Sequence, residues 1–358
     1  MNNLRNIEYF KNLDALRFFA FFAVFLSHAP LLPDNHFLHQ YLKLGFLGID
    51  FFFVLSSFLI TWIILKEKTL TRQFSWCNFM IRRILRIWPL YFLIVLLGFI
   101  VWLLKPDVSV PDWGWYIGFL ANFYIIKYGD SFLFFLTFLW SISVEEQFYF
   151  FWSLLMKFVK RHLPAIFITL ILISLIFRWI NSENSKVLYF HTISILGNFG
   201  IGGLAAYLSF YNHQFINMVK NQRKFFTLLP YILLILCVAF YYVLFAGRIG
   251  VTIERLFFSL IFGWIILEQN FAQNSLIKWG EFNFLNYLGK ISYGLYMYHG
   301  VVLTAITVGG LAVFKGYFYN ISVTVAALLT TIVVSAVSYK YFEHPFLKLK
   351  KRFYTFDK

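Results

Sequence analysis

The sequence predicts an all-α membrane protein, a bundle of about ten transmembrane helices with both termini cytoplasmic. Three observations carry that prediction. Hydrophobic residues make up 60% of the chain and charged residues 13%, more apolar surface than one soluble core can bury. Aromatic residues reach 23%, which suits lipid contact and the interfacial belts where rings straddle the headgroups. The Lys and Arg residues behind the formal net charge of +15 fall in short clusters between apolar stretches, so they read as topology signals and not as one nucleic-acid-binding stripe.

Apolar runs long enough to span occur near 14–32, 44–65, 88–104, 132–157, 163–180, 190–211, 226–246, 251–269, 291–312 and 319–342. Helices are expected because lipid cannot satisfy open backbone groups. The first run lacks a small-residue cleavage site and is read as a retained helix, not a signal peptide. A shorter stretch, 113–126, lies between Pro111 and Asp130 and reads as either re-entrant or interfacial, or as a further span. Leaving it out of the count puts the basic loops Lys66–Arg86, Lys157–Arg161, Lys220–Lys224 and Lys278–Lys290 and the tail Lys348–Lys358 on one side, as the positive-inside bias requires. With no internal repeat and no long linker, residues 1–358 are expected to form a single membrane domain with no appended soluble domain. Cys77 and Cys237 stand far apart and outside any ligand cluster, so neither a disulfide nor a metal site is expected.

Ionisable side chains inside a membrane helix are costly, and each is a functional candidate. Arg17 and His28 are eleven residues apart on the first helix, about 16 Å and close to three turns, hence nearly on one face. Arg17 also reads as an end-anchor paired with Asp14. Neutral imidazole is well suited to take a proton from a hydroxyl, although a histidine near a helix end also serves as a hydrogen-bonded interface residue. Arg82, Arg83 and Arg86 sit together immediately before Trp88 and Pro89. Three guanidinium groups on neighbouring turns grip a polyphosphate, or anchor the helix against acidic lipid. Trp140, Ser141, Glu145, Glu146, Gln147 and Tyr149 lie within an otherwise apolar segment. There a carboxylate can orient an imidazole, and the amide and hydroxyl groups can bind substrate hydroxyls. His299 lies deep in the ninth run and requires a polar partner. Arg178, Glu254 and Arg255 read as ion pairs or end-anchors.

Together these segments resemble the acyltransferase-3 family of multi-pass bacterial membrane acyltransferases. The resemblance runs from Asn12 to Phe346 through six motifs in the family's order. They are Asp14 to Arg17 with His28; Gly45 to Ile60; Arg82-Arg83 to Arg86 and Pro89; Trp140-Ser141 to Glu145 and Gln147-Phe-Tyr149; Ser292-Tyr293 to His299; and Tyr341 to Pro345. Ser57 stands where the family usually has Gly, and His344 replaces a common basic residue.

The resemblance implies an O-acetyltransferase of the bacterial inner membrane. Its donor is acetyl-CoA or another short acyl-CoA acting as co-substrate, with no tightly bound cofactor, and its acceptor is a hydroxyl on a carbohydrate such as a surface polysaccharide or lipid-linked glycan. The implied roles are His28 as general base, Glu145 positioning it or the acceptor, and Arg17, Arg82, Arg83 and Arg86 holding the CoA phosphates. Trp140, Ser141, Glu146, Gln147, Tyr149 and His299 are left for the substrate. The alternative is a polytopic transporter or flippase of a glycan, for which inverted repeats are expected and not found.

Overall fold

The computed structural model describes residues 9–104, 112–130, 133–159, 161–308 and 317–353. Its principal helices in chain order are α1 Lys11–His28, α2 Leu47–Thr71, α3 Trp76–Leu104, α4 Trp113–Ile117, α5 Ala121–Tyr128, α6 Leu139–Phe158, α7 Leu163–Ile180, α8 Thr192–Tyr211, α9 His213–Asn221, α10 Lys224–Ala239, α11 Gly247–Phe271, α12 Asn283–Lys290, α13 Ser292–Val308, α14 Tyr317–Ser338 and α15 His344–Lys350. No strand occurs among the described residues.

Six helical segments are long and apolar enough to cross a membrane: His39–Thr71, Trp76–Leu104, Leu163–Ile180, Ser185–Tyr211, Gly247–Phe271 and Tyr319–Phe353. They coincide with six of the expected spans. A further pair, α9 and α10, is bent by 90°. Side chains such as Ile168, Leu172, Ile176 and Ile180 remain exposed along one face of α7, the period-four stripe of a helix that borders lipid.

The other expected spans meet local interruptions. α1 stops at His28 because Pro30 and Pro33 follow and cannot continue the helical ladder. The fourth run begins as a separate turn, Phe134–Thr137, before α6. α10 ends at Ala239, and positions 309–312 of the ninth run lie outside the described residues, as does 132. The 113–126 stretch is no single helix. It forms α4 and α5, separated at Phe119, whose φ of 54° is a left-handed conformation that a bulky residue rarely adopts.

The chain folds as two compact units. The first comprises Met1–Val24, Leu44–Phe74 and Met156–Lys290. Its centre is the packing of α8 on α2, α7 and α11, which small residues permit. A Cβ on Gly202 would lie 2.1 Å from the Val54 carbonyl oxygen and 3.0 Å from the Ser57 Cβ. The bare backbone of Gly202 therefore makes room for Ser57, which is fully buried and donates to the Phe199 carbonyl at 2.5 Å. Serine at 57 is thus accommodated by the facing helix.

The charges of this unit pair internally. Arg178 donates to Glu254 at 2.8 Å and to Ser194 at 2.9 Å, and Arg255 reaches Asp50 at 3.5 Å. Asp50 also accepts from the Asn198 amide at 3.0 Å. Buried ions survive only with such partners, and the ion-pair role expected for Arg178, Glu254 and Arg255 is the one observed.

The second unit comprises Phe25–Lys43, Ser75–Leu155 and Ile291–Lys358. In it α13 packs on α14, on α3 and on the Phe134–Thr137 turn, while α15 lies along α3.

Candidate active site

His28 ends α1, and its imidazole enters the second unit among aromatic rings. Phe138 meets it edge-on at 4.6 Å between centroids, and Phe134 at 6.0 Å. Ser27 Oγ lies 3.4 Å from its Nδ1. The second imidazole, His299 on α13, has its centroid 5.6 Å from His28 and 4.4 Å from Phe138. His299 is fully buried, and its Nδ1 lies 2.5 Å from the Tyr296 carbonyl oxygen. A carbonyl oxygen only accepts, so the proton sits on Nδ1 and Nε2 carries a lone pair. Gly300 allows this close approach, since a Cβ there would lie 2.5 Å from the Phe138 ring.

α6 carries the polar cluster away from this pair. Ser141 Oγ and Tyr296 OH are 2.7 Å apart, and Tyr296 OH also reaches the Phe138 carbonyl at 3.2 Å. Trp140 is buried on the same turn. Further along, Tyr149 donates to Glu145 Oε2 at 2.9 Å. Glu146 is buried and accepts from Trp88 Nε1 at 2.9 Å, whereas its Oε1 has no hydrogen-bond partner among the described residues. Gln147 donates to the Phe119 carbonyl at 2.8 Å and to Asn122 at 3.0 Å. The left-handed residue is thus clipped to α6, and its ring lies 4.4 Å from Tyr91 and 5.3 Å from Trp88 on α3.

The arginines occupy the N-terminal half of α3, a helix that continues through Pro89. The Arg83 guanidinium lies over the Tyr149 ring at 5.4 Å and the Phe79 ring at 5.3 Å, a cation–π seat. Arg82 is buried and donates to the Phe353 carbonyl at 2.7 Å.

The sequence candidates thus fall in two places. His28, His299, Trp140, Ser141, Glu145, Glu146, Gln147, Tyr149, Arg82, Arg83 and Arg86 all belong to the second unit, while Arg17 belongs to the first, paired with Asp14 at 2.9 Å. Ser141, Gln147 and Tyr149 each bond to the protein's own groups. The imidazole neighbour recorded for His28 is His299; Glu145 stands two helical turns beyond Phe138, about 10 Å along α6. Phe138, Tyr296, Trp88, Phe119 and Asn122 complete the site without having been named as site residues from the sequence. The lone amide of Asn122 in an apolar stretch was the available signal for the last. No three His, Cys, Asp or Glu side chains gather as a metal site among the described residues.

The sequence profile of the acyltransferase-3 family, described as an acyltransferase domain, matches residues 10–340. A Staphylococcus aureus (strain COL) protein, provisionally named as an O-acetyltransferase, is 29% identical over 96% of the chain. The O-acetyltransferase OatA of Staphylococcus aureus (strain NCTC 8325 / PS 47) is 28% identical over 95%. The chain spans 58% of the length of both relatives. No solved structure matches it. With a family match that takes in His28, the arginine turn, the α6 carboxylates and His299 alike, the chain belongs to the acyltransferase-3 family.

Proposed function

We propose that this chain moves an acetyl or other short acyl group from cytoplasmic acyl-CoA to a hydroxyl of a carbohydrate acceptor, as the names of its relatives suggest for acetyl transfer. The observation that carries the reading is the layout of α6. Arg83 stacks on Tyr149 at one point of this helix, and His28 and His299 meet Phe138 eleven residues earlier. That separation is about 16 Å along the helix axis, of the same order as an extended pantetheine arm. Phosphates held by Arg83 and Arg86 would therefore present a thioester near His28.

In the proposed reaction the neutral His28 imidazole takes the proton of the acceptor hydroxyl as its oxygen attacks the thioester carbonyl carbon. The C–S bond breaks, the acyl group becomes an ester, and the imidazolium returns its proton to the departing thiolate of CoA. In this reading Glu145 and Glu146, whose buried Oε1 has no hydrogen-bond partner among the described residues, would bind acceptor hydroxyls along α6. Ten spans with both termini inside, in a bacterial inner membrane, would put the arginine end on the cytoplasmic side. The bent α9–α10 pair is the feature that favours transport, yet repeat-built transporters place such breaks in both halves, and one such pair occurs among the described residues.

The test uses the purified chain in lipid vesicles, with labelled acetyl-CoA and a panel of surface and lipid-linked glycans. Label should enter a glycan ester, and His28→Ala should abolish that transfer in a folded protein. Full transfer by His28→Ala would end the mechanism.

A further inference from the structure

The two ion pairs of the first unit take no part in the reaction above, and they are not equally complete. Arg178 uses all five of its N–H groups. Nε donates to the Thr252 carbonyl at 3.0 Å, Nη1 to the Leu188 carbonyl at 3.3 Å and Ser194 at 2.9 Å, and Nη2 to the Val251 carbonyl and, at 2.8 Å, to Glu254. The other Glu254 oxygen accepts from Tyr241 at 2.6 Å. Arg255 is different. Its Nε faces Asp50 Oδ1 at 3.5 Å and its Nη2 donates to the Tyr189 carbonyl at 3.1 Å, yet its Nη1 has no hydrogen-bond partner among the described residues. The same holds for Asp50 Oδ2, Asn198 Oδ1 and Ser259 Oγ. All four side chains are buried, at 3% exposure or less.

These atoms belong to one cluster. Asp50 Oδ1 takes both the Arg255 ion pair and the Asn198 amide, the latter at 3.0 Å. Ser259 follows Arg255 by one turn of α11, on the same face, and α11 packs on α2 and α8, which carry Asp50 and Asn198. Buried hydroxyls on other helices return to the carbonyl four residues back, as Ser143 does at 3.0 Å and Thr252 at 2.7 Å; Ser259 does not. An unmatched buried polar atom costs stability, and the four together specify what would match them. An anion has no proton for Asp50 or Asn198 and is repelled by the carboxylate, while a cation is repelled by Arg255. A hydroxyl donates once and accepts twice, and the charges of Asp50, Glu254, Arg178 and Arg255 cancel. A polar pocket of about 600 Å³, lined in part by Asn181, Ser182, Asn184, Ser185 and Arg248, opens where α7 ends and α11 begins. The Arg248 carbonyl accepts from Thr252, whose own carbonyl accepts from Arg178, so hydrogen bonds link the pocket to the ion pairs.

We propose that Asp50, Asn198, Arg255 and Ser259 form a buried binding site for a neutral hydroxyl group. The bound hydroxyl accepts from Arg255 and donates to Asp50 or Asn198, and Ser259 takes either role. Water and a sugar hydroxyl share this chemistry. The site is independent of the reading of His28 and of the α3 arginines, because all four residues belong to the first unit.

The experiment is thermal unfolding of the full chain and of Ser259→Ala in lipid nanodiscs, with and without glucose, joined to hydroxyl-radical footprinting of both. Deleting a buried hydroxyl that nothing bridges relieves a desolvation cost, whereas deleting one bridged by a ligand breaks a bond. Ser259→Ala should therefore melt about 2 °C lower or more. With a sugar hydroxyl as the ligand, glucose raises the melting temperature of the parent saturably and above its effect on the variant, since the general exclusion of sugars from protein surfaces acts on both alike. With water as the ligand, glucose does not discriminate, and radicals formed from the bound water oxidise Phe262, buried about one turn beyond Ser259, in the parent and not in Ser259→Ala. A melting temperature equal to or above the parent's overturns the proposal. So does a lower one with neither the glucose difference nor the Phe262 label, which is the mark of lost packing alone.

Discussion

His28 and His299 stand with ring centroids 5.6 Å apart, and one ring, Phe138, touches both. The Tyr296 carbonyl fixes a proton of His299 on Nδ1, so in the neutral ring its other nitrogen offers a lone pair. His299→Gln removes that imidazole and keeps a polar side chain. It should lower kcat about a hundredfold or more, the lower part of the range for a proton-handling group, with the KM for acetyl-CoA changed by less than about twofold. Steady-state kinetics decide it; a loss seen only in KM would make His299 a binding residue.

Phe138→Ala should cost both stability and rate. Truncating a buried phenylalanine typically costs about 3–5 kcal/mol, and here it also removes the edge-on contact that orients His28. Phe138→Leu keeps most of the volume, so it should regain thermal stability while kcat stays depressed. Equal recovery of both would make Phe138 a packing residue alone.

Arg178→Ala removes the buried cation of this pair and leaves the half-buried Glu254 without it. Loss of one partner of a buried pair costs about 3–5 kcal/mol, so a clear fall in melting temperature in detergent is expected. Affinity for CoA, measured below that melting point, should be unchanged, because every residue of the donor reading except Arg17 lies in the other unit. A selective loss of CoA binding in a stable variant would refute this separation.

Gln147→Ala removes both bonds that clip Phe119 and Asn122 to α6. Faster hydrogen exchange confined to α4 and α5 is expected, with the exchange of α3 and α6 little altered. If exchange in α4 and α5 does not change, the aromatic seat on Tyr91 and Trp88 holds that element by itself.

Much of this site was legible because membrane helices make polar residues conspicuous. Glu145, Glu146 and Gln147 interrupt an apolar run, and Arg82, Arg83 and Arg86 share neighbouring turns, so type and spacing suffice to single them out. The neighbour of His28 was not legible in the same way. His299 is 271 residues distant, and nothing in periodicity pairs two helices so far apart. By sequence Phe138 is one more lipid-suited aromatic, yet its ring packs against both imidazoles. The ambiguity of 113–126 likewise lay in Phe119, a residue type with no propensity for a left-handed backbone, held there by Gln147 of another helix. Span ends were misjudged where proline acts: hydropathy carries the first run to residue 32, but Pro30 and Pro33 leave the helix at His28.

The flush contact between Phe138 and Gly300 bears on the size of the cargo. On the proposed reading, the thioester stops where the pantetheine arm runs out, at His28, and whatever follows the carbonyl must occupy the space beside Phe138. That ring is buried and rests on the bare backbone of Gly300. Each further methylene would gain about 0.8 kcal/mol if it found an apolar slot, but it would first have to displace the ring. Chain-length selectivity in the proposed transfer would then be set by exclusion, with one phenylalanine acting as the gauge.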